Sequence, residues 1–305
     1  MDITFHQLKV LNEVALQQSV TKASLALNMT QPAVSNIIRL IEARLGLPVI
    51  EVLRKQVYIT QTGKLLVELY KDISTQFENT QSHIDLMKGN TLGTIRIAAV
   101  STAKYFVPRL LGAFKALYPQ IHIELKIKNR AEVIDRLTSN MDDFVIMSQT
   151  PNDIHIEAQD FYEDELVVAA NVAHPLAKQK KLTLDKLAKE PWLIREQGSG
   201  TRIAMENIFS RHQIDPKIEM EIDNNESIKQ AIIGNIGISI VSHQSIMIEQ
   251  RAGYITVLPV QSFPIKHKWY LVKNKGKKLS SIAERFYEYV CTHPNLDLFT
   301  SVNER

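Results

Sequence analysis

A single cysteine, Cys291, stands among the 305 residues, which excludes an internal disulfide and any cysteine-rich metal site. The nine histidines are scattered, with no HxxH or HExxH pair, so no metal centre is expected. No apolar run approaches the ~18 residues of a membrane span, and Met1 to Asn12 lacks a basic-then-apolar leader. These absences predict a cytoplasmic protein with no membrane role. Enzyme signatures are missing as well. No GxSxG elbow, HExxH pair or P-loop places the serines, histidines and aspartates for catalysis. No glycine falls between Ala98 and Ala103, where a dinucleotide fingerprint would need one. The expectation is a non-enzyme without a cofactor. Charge of one sign is not in excess either: 36 Lys and Arg against 33 Asp and Glu give a net +3, so any nucleic-acid surface must be local.

What is present is an ordinary globular composition, 45% apolar and 23% charged with no low-complexity tract, long enough for two or three domains. The densest signal is Ser19 to Arg39, SVTKASLALNMTQPAVSNIIR. Ser19 caps a short helix through Leu27, Asn28 suits a left-handed stop, and Thr30 caps the next helix with Pro32 in its first turn. Val34, Ile37, Ile38, Ile41 and Leu45 follow the three/four spacing of a buried stripe. Gln31, Ser35 and Arg39 recur every fourth residue on the opposite side, flanked by Pro32 and Asn36. Forked donors and acceptors at a helix start are what a major-groove reader needs, so the segment points to double-stranded DNA. Taken alone, the same residues also describe a solvated helix face.

A helix around Phe5, Leu8, Leu11 and Val14 precedes this pair. After Gly46-Leu47-Pro48, two short runs, Val49 to Leu53 and Gln56 to Thr60, flank Arg54-Lys55 and suggest a wing. Five basic residues against two acidic ones lie between Asn28 and Lys64. Arg54 and Lys55 suit backbone phosphate, or are plain wing-tip charges. From Thr60 a long helix runs to near Gly89-Asn90. Its Leu66, Leu69, Ile73, Phe77, Thr80, Ile84 and Met87 lie close to a heptad seam, predicting pairing with a second copy rather than packing on its own core. From Gly93 onward strands and helices alternate, which predicts parallel, helix-covered sheets in two α/β lobes with a cleft between them.

These residues resemble the LysR-type transcriptional regulators over nearly the whole chain. The resemblance is carried by TQPAVSNIIRLIEARLGLPVI, Val57 to Thr60, Thr62-Gly63, Gly93 to Ile97, His174-Pro175-Leu176 and Gly237 to Val241. Ser101–Leu111, Arg195–Arg202, Asn224–Ile232 and Phe263–Val272 are similar to the branch controlling RuBisCO and inorganic-carbon uptake genes. The family usually has an aromatic and an arginine where Ile50 and Val52 stand, and an arginine pair at Lys55-Gln56, so this wing is less cationic. The implied fold is α+β: a winged helix-turn-helix (1–60), a linker and dimerisation helix (61–90), and a two-lobed α/β, periplasmic-binding-protein-like effector domain (91–305). Lobe I would span about 91–163 and 268–305, and lobe II about 164–267.

The resemblance implies a homodimer, assembling into a homotetramer, that binds spaced half-sites and contacts RNA polymerase. Its DNA contacts would be Thr30, Gln31, Pro32, Ser35, Asn36, Arg39, Arg54 and Lys55. Its effector would be a small anionic metabolite: a sugar phosphate, 2-phosphoglycolate or 2-oxoglutarate. Ligands of paired α/β lobes sit where strands end and helices begin. That places Ser101, Thr102, Asn129, Ser148 and Gln149 opposite Gly198, Ser199, Gly200, Thr201 and Arg202, with backbone N–H groups and a helix N-terminus to hold an anion. Many such glycine-serine turns only cap helices. Lys104, Arg195 and Asn225 are secondary candidates. Lys104 alternatively reads as a solvated charge, and Asn225 as a cap for the helix beginning at Glu226. Two other readings stay open: a regulator of an unrelated operon, and a cytoplasmic solute-binding protein, which would be monomeric and indifferent to DNA.

Overall fold

The computed structural model describes residues 2–53, 56–87, 93–151 and 154–293. It divides into two compact units, Met1–Ile84 and Asp85–Arg305.

In the N-terminal unit, α1 (Phe5–Gln17), α2 (Val20–Ala26) and α3 (Gln31–Leu45) each begin at a hydroxyl cap: Thr4, Ser19 and Thr30. Asn28 takes a left-handed φ of 52° in the turn between α2 and α3. Gly46, at φ 67°, closes α3 and donates its N–H to the Glu42 carbonyl. The apolar faces meet in a core of Leu8, Val10, Leu11, Val14, Val34, Ile38 and Ile41. The antiparallel pair β1 (Ile50–Leu53) and β2 (Gln56–Ile59) forms the wing, with Val57 tucked into that core. Next, α4 (Gln61–Met87) starts under the Thr60 hydroxyl, which accepts the Gly63 N–H at 3.1 Å. A Cβ on Gly63 would stand 2.2 Å from the Val49 carbonyl oxygen, so only glycine allows this approach.

The seam expected along α4 splits in two. Leu66 is buried in the N-terminal core and Leu69 packs against it, so the first turns serve their own unit. Ile73, Phe77 and Ile84 are exposed. The side chain of Met87 lies outside the described residues, as do Arg54 and Lys55 entirely.

The second unit opens with β3 (Thr94–Val100), a 3₁₀ turn (Ser101–Tyr105), α5 (Val107–Leu117), β4 (His122–Lys128), α6 (Arg130–Thr138) and β5 (Phe144–Met147). The long β6 (Ile156–Asn171) follows, then a 3₁₀ turn (Pro175–Lys178), α7 (Leu184–Leu187), β7 (Trp192–Arg195), α8 (Gly200–Arg211), β8 (Ile218–Ile222) and α9 (Asn225–Ile233). The unit closes with β9 (Ser239–Ser242), α10 (His243–Arg251), β10 (Ile255–Val257), β11 (Ile265–Asn274) and α11 (Ser281–Thr292). The main sheet runs β10-β6-β11-β5-β3-β4, with β9 also on β6. It is mixed, not parallel as the alternation suggested: β3 pairs parallel with β4 and β5, while β6 and β11 run antiparallel to each other. The parallel pair β7 and β8 is tied on by the Trp192–Ile238 bridge.

The two largest of the unit's four apolar clusters mark two lobes. One gathers Ile97, Phe106, Phe114, Phe144, Trp269 and Phe286. The other gathers Val168, Leu182, Trp192, Phe209, Ile238 and Ile240. Strand β6 gives Phe161 to the first and Leu166 and Val168 to the second, so β6 and its partner β11 are the strands that join the lobes. Among the described residues, no helix is long and apolar enough to cross a membrane.

Candidate functional site

On α3, Thr30, Gln31, Pro32, Asn36 and Arg39 are exposed and Ser35 is half-buried. Gln31 donates its amide to the Ser35 hydroxyl at 3.1 Å. Arg39 makes no ion pair among the described residues. Gln31, Ser35 and Arg39 line one open depression with Ser19 and Thr21 at the start of α2 and with Val52 and Val57 of the wing. The structure therefore puts the helix face, the N-terminus of α2 and the wing on one surface.

In the second unit a pocket lies between the lobes where β3, β5 and β7 end and α8 begins. Ser101, Thr102, Ser148, Gln149, Ser199, Gly200 and Thr201 line it. The lobes approach closely there: a Cβ on Gly200 would stand 3.2 Å from Ser148 Oγ. Ser199 caps α8 by accepting the Arg202 N–H at 3.1 Å, and the first turn of α8, whose leading N–H groups have no helical acceptor, lies in the pocket lining through Gly200 and Thr201. Its cavity volume is ≈ 30 Å³, room for about two or three waters at ~10–15 Å³ each.

Five expected residues lie outside this lining. Asn129 caps α6, accepting the Glu132 N–H at 2.9 Å, and with Gly198 it lines an adjoining depression rather than the pocket. Arg202 turns away, to the Arg195 carbonyl at 3.0 Å and to Glu206 and Glu221. Lys104 pairs with Glu226 at 3.1 Å. Asn225 is not the cap of α9, which is Asn224. Instead its amide donates to Thr102 Oγ1 at 3.3 Å and its oxygen accepts from Arg195.

Arg195 is 3% exposed and fully engaged. It forks onto Glu196 at 2.7 and 2.8 Å, and reaches Ser101 Oγ across the cleft at 3.2 Å. A second interlobe link sits beside it. Tyr105 donates to Glu226 at 2.6 Å, and Lys229 lies 2.9 Å from the same carboxylate. Burial alone would push Glu226 up, but the bonds from Tyr105, Lys229 and Lys104 outweigh it and hold its pKa at about 2. Burial and this carboxylate push the Tyr105 hydroxyl well above the usual tyrosine range.

Arg130, Glu196, Ser242, His267 and Trp269 also line the pocket and were not found from the sequence. Arg130 opens α6 and touches the Gln149 carbonyl only at 3.5 Å. Its Nε is buried without a partner, and it makes no ion pair among the described residues. Adjacency to the Asn129 cap was the one available signal. His267 and Trp269 come from β11, far along the chain from the other lining residues. Burial pulls the His267 imidazole below its ordinary value, against the raising effect of Asp164.

Two family models match the chain: "Bacterial regulatory helix-turn-helix protein, lysR family" over residues 5–64, and "LysR substrate binding domain" over residues 88–293. The chain is 40% identical over 290 residues to the HTH-type transcriptional activator CmpR of Synechocystis sp., covering 95% of each. It is 36% identical to the RuBisCO operon transcriptional regulator of Acidithiobacillus ferrooxidans, covering 94% of this chain and 93% of the relative. Among solved structures, the Synechocystis CcmR regulatory domain in complex with 2-PG matches at 40% identity and TM-score 0.63, covering 67% of this chain and 98% of that one.

Proposed function

The chain belongs to the LysR family of transcription regulators, and from that premise we propose that it switches carbon-fixation genes in response to a small phosphorylated acid held between its lobes. The observation that carries this reading is Arg130. Among the described residues it is the pocket arginine without a carboxylate partner, and it shares the pocket with Ser148, Ser199, Thr201 and the N-terminus of α8. Arg195 is neutralised by Glu196 and serves to hold the lobes together. Arg130 with a helix N-terminus is the arrangement that suits a phosphate or carboxylate. The names of the relatives, and the 2-PG complex of the CcmR domain, favour 2-phosphoglycolate over 2-oxoglutarate or a bulkier sugar phosphate.

In this reading Gln31, Ser35 and Arg39, with Thr30, Pro32 and Asn36 beside them, contact operator bases. Arg54 and Lys55 contact phosphate. The exposed Ile73, Phe77 and Ile84 of α4 pair two chains, and dimers combine into a tetramer that meets RNA polymerase. A cavity of ≈ 30 Å³ is too small for such an effector, so entry requires the lobes to part. The effector acts through its different affinity for the two arrangements.

The test is thermal stability of the full chain against 2-phosphoglycolate, 2-oxoglutarate and ribulose bisphosphate. A ligand of the folded state raises the midpoint with concentration, following RT ln(1 + [L]/Kd). The expected result is a shift with 2-phosphoglycolate that Arg130→Gln and Thr201→Ala abolish. A shift untouched by both variants removes this pocket from the proposal.

A further inference from the structure

We propose that the floor of the cleft is a second recognition element, in which Trp269 of β11, beside His267, reads an oxygen acceptor at the end of the effector remote from its phosphate. This rests on the effector reading above and adds a requirement to it: the ligand has two polar ends.

Trp269 is 1% exposed and its indole N–H is buried with no acceptor. An indole nitrogen can only donate, and a buried donor left unpaired is a cost that folded proteins rarely accept without a reason. The edge contact with Phe106, centroids 4.9 Å apart at 65°, offers at most a weak π acceptor. The contrast lies within the chain, which has two tryptophans. Trp192 is equally buried, yet its N–H donates to the Leu187 carbonyl at 2.8 Å. Trp192 is absent from the pocket lining; Trp269 is part of it.

His267 repeats the pattern two residues earlier on β11. It lines the same pocket, its ring centroid is 5.8 Å from that of Trp269, and its Nδ1 is buried without a partner. Its other nitrogen faces the Asp164 carboxylate at 3.8 Å, and that carboxylate already accepts the Ser242 hydroxyl. The side chains of the floor are thus held in place while two ring nitrogens remain unused. Both stand on a strand that joins the lobes, so an occupant would touch the hinge as well as the walls. A phosphorylated carboxylic acid satisfies both ends; inorganic phosphate satisfies the Arg130 end alone.

The experiment uses the full chain with ¹⁵N-labelled tryptophan, titrated with 2-phosphoglycolate and separately with inorganic phosphate, with calorimetry in parallel. Of the two indole resonances, the one assigned to Trp269 through Trp192→Phe is expected to move downfield with 2-phosphoglycolate and to stay with phosphate. Trp192 should move with neither. Trp269→Phe should weaken 2-phosphoglycolate about tenfold, the scale of one lost hydrogen bond, and leave phosphate affinity within about twofold. Because the resonance is read on the unaltered protein, the test survives a Trp269→Phe chain that does not fold. Heat of binding with an unmoved Trp269 resonance, or an equal movement with phosphate, overturns the inference while sparing the effector reading. No heat with either ligand overturns both.

Discussion

Arg39 and Arg195 mark opposite uses of one side chain in the two units. Arg39 lies exposed on α3 and makes no ion pair among the described residues. Arg195 is buried, forked onto Glu196 and linked to Asn225 and Ser101. In the N-terminal unit Arg39 stays available, and in the proposed reading a DNA groove supplies its partner. The second unit binds its donors to one another across the cleft, so these links hold its lobes together until they part. Arg130 stands between these cases: in a pocket, as Arg195 is, but without an ion pair, as Arg39 is. Availability, more than the presence of a charge, separates a contact residue from a structural one.

The comparison can be broken most directly at Arg195. Arg195→Ala strands a largely buried carboxylate at Glu196, and losing one partner of such a pair costs about 3 kcal/mol. The urea midpoint of the second unit should fall accordingly, with operator affinity in the absence of effector unchanged. A stable Arg195→Ala chain would show that the buried network is dispensable. At Arg39 the expectation reverses. Arg39→Ala should leave the melting midpoint in place and weaken operator binding about 10- to 100-fold, the ~1–3 kcal/mol of one good base contact; titration of labelled operator DNA reads it. The smallest effect is expected at Glu226, whose side chain is 51% exposed. Glu226→Gln removes the carboxylate from the Tyr105 and Lys104 link and should cost less than about 1 kcal/mol, seen as a minor drop in melting midpoint. A drop as large as that at Arg195 would make the exposed link, not the buried one, the main interlobe bond.

Much of the fold was legible where one physical signal dominated. The α3 stripe of Val34, Ile38 and Ile41 could be placed because an amphipathic helix shows its period. Phe144–Met147 could be bounded because a buried strand is continuously apolar, and Thr94–Val100 because only Thr94 and Arg96 depart from an apolar run. The first half of β6, Ile156 to Glu165, was not legible. Its carboxylates pair with lysines of β11, Asp160 with Lys268 at 2.6 Å and Glu163 with Lys266 at 2.8 Å. A strand faced with such pairs has no apolar signature, and with it went the antiparallel crossing of the lobes. The same limit governs the site. Ser101, Ser148 and Thr201 follow recognisable strand ends, whereas His267 and Trp269 reach the pocket through a pairing of β11 with β6 that only the folded chain displays. At α4 the period was real but its use was divided, since Leu66 and Leu69 fall within reach of the N-terminal core.

The close approach of Gly63 to Val49 has a mechanical consequence. With 2.2 Å between a notional Cβ and the Val49 carbonyl oxygen, and with Thr60 bonded to both the Pro48 carbonyl and the Gly63 N–H, the joint between the wing and α4 is closely packed. The first turns of α4 are thereby pinned both to the segment that enters the wing and, through Leu66, to the core on which α3 rests.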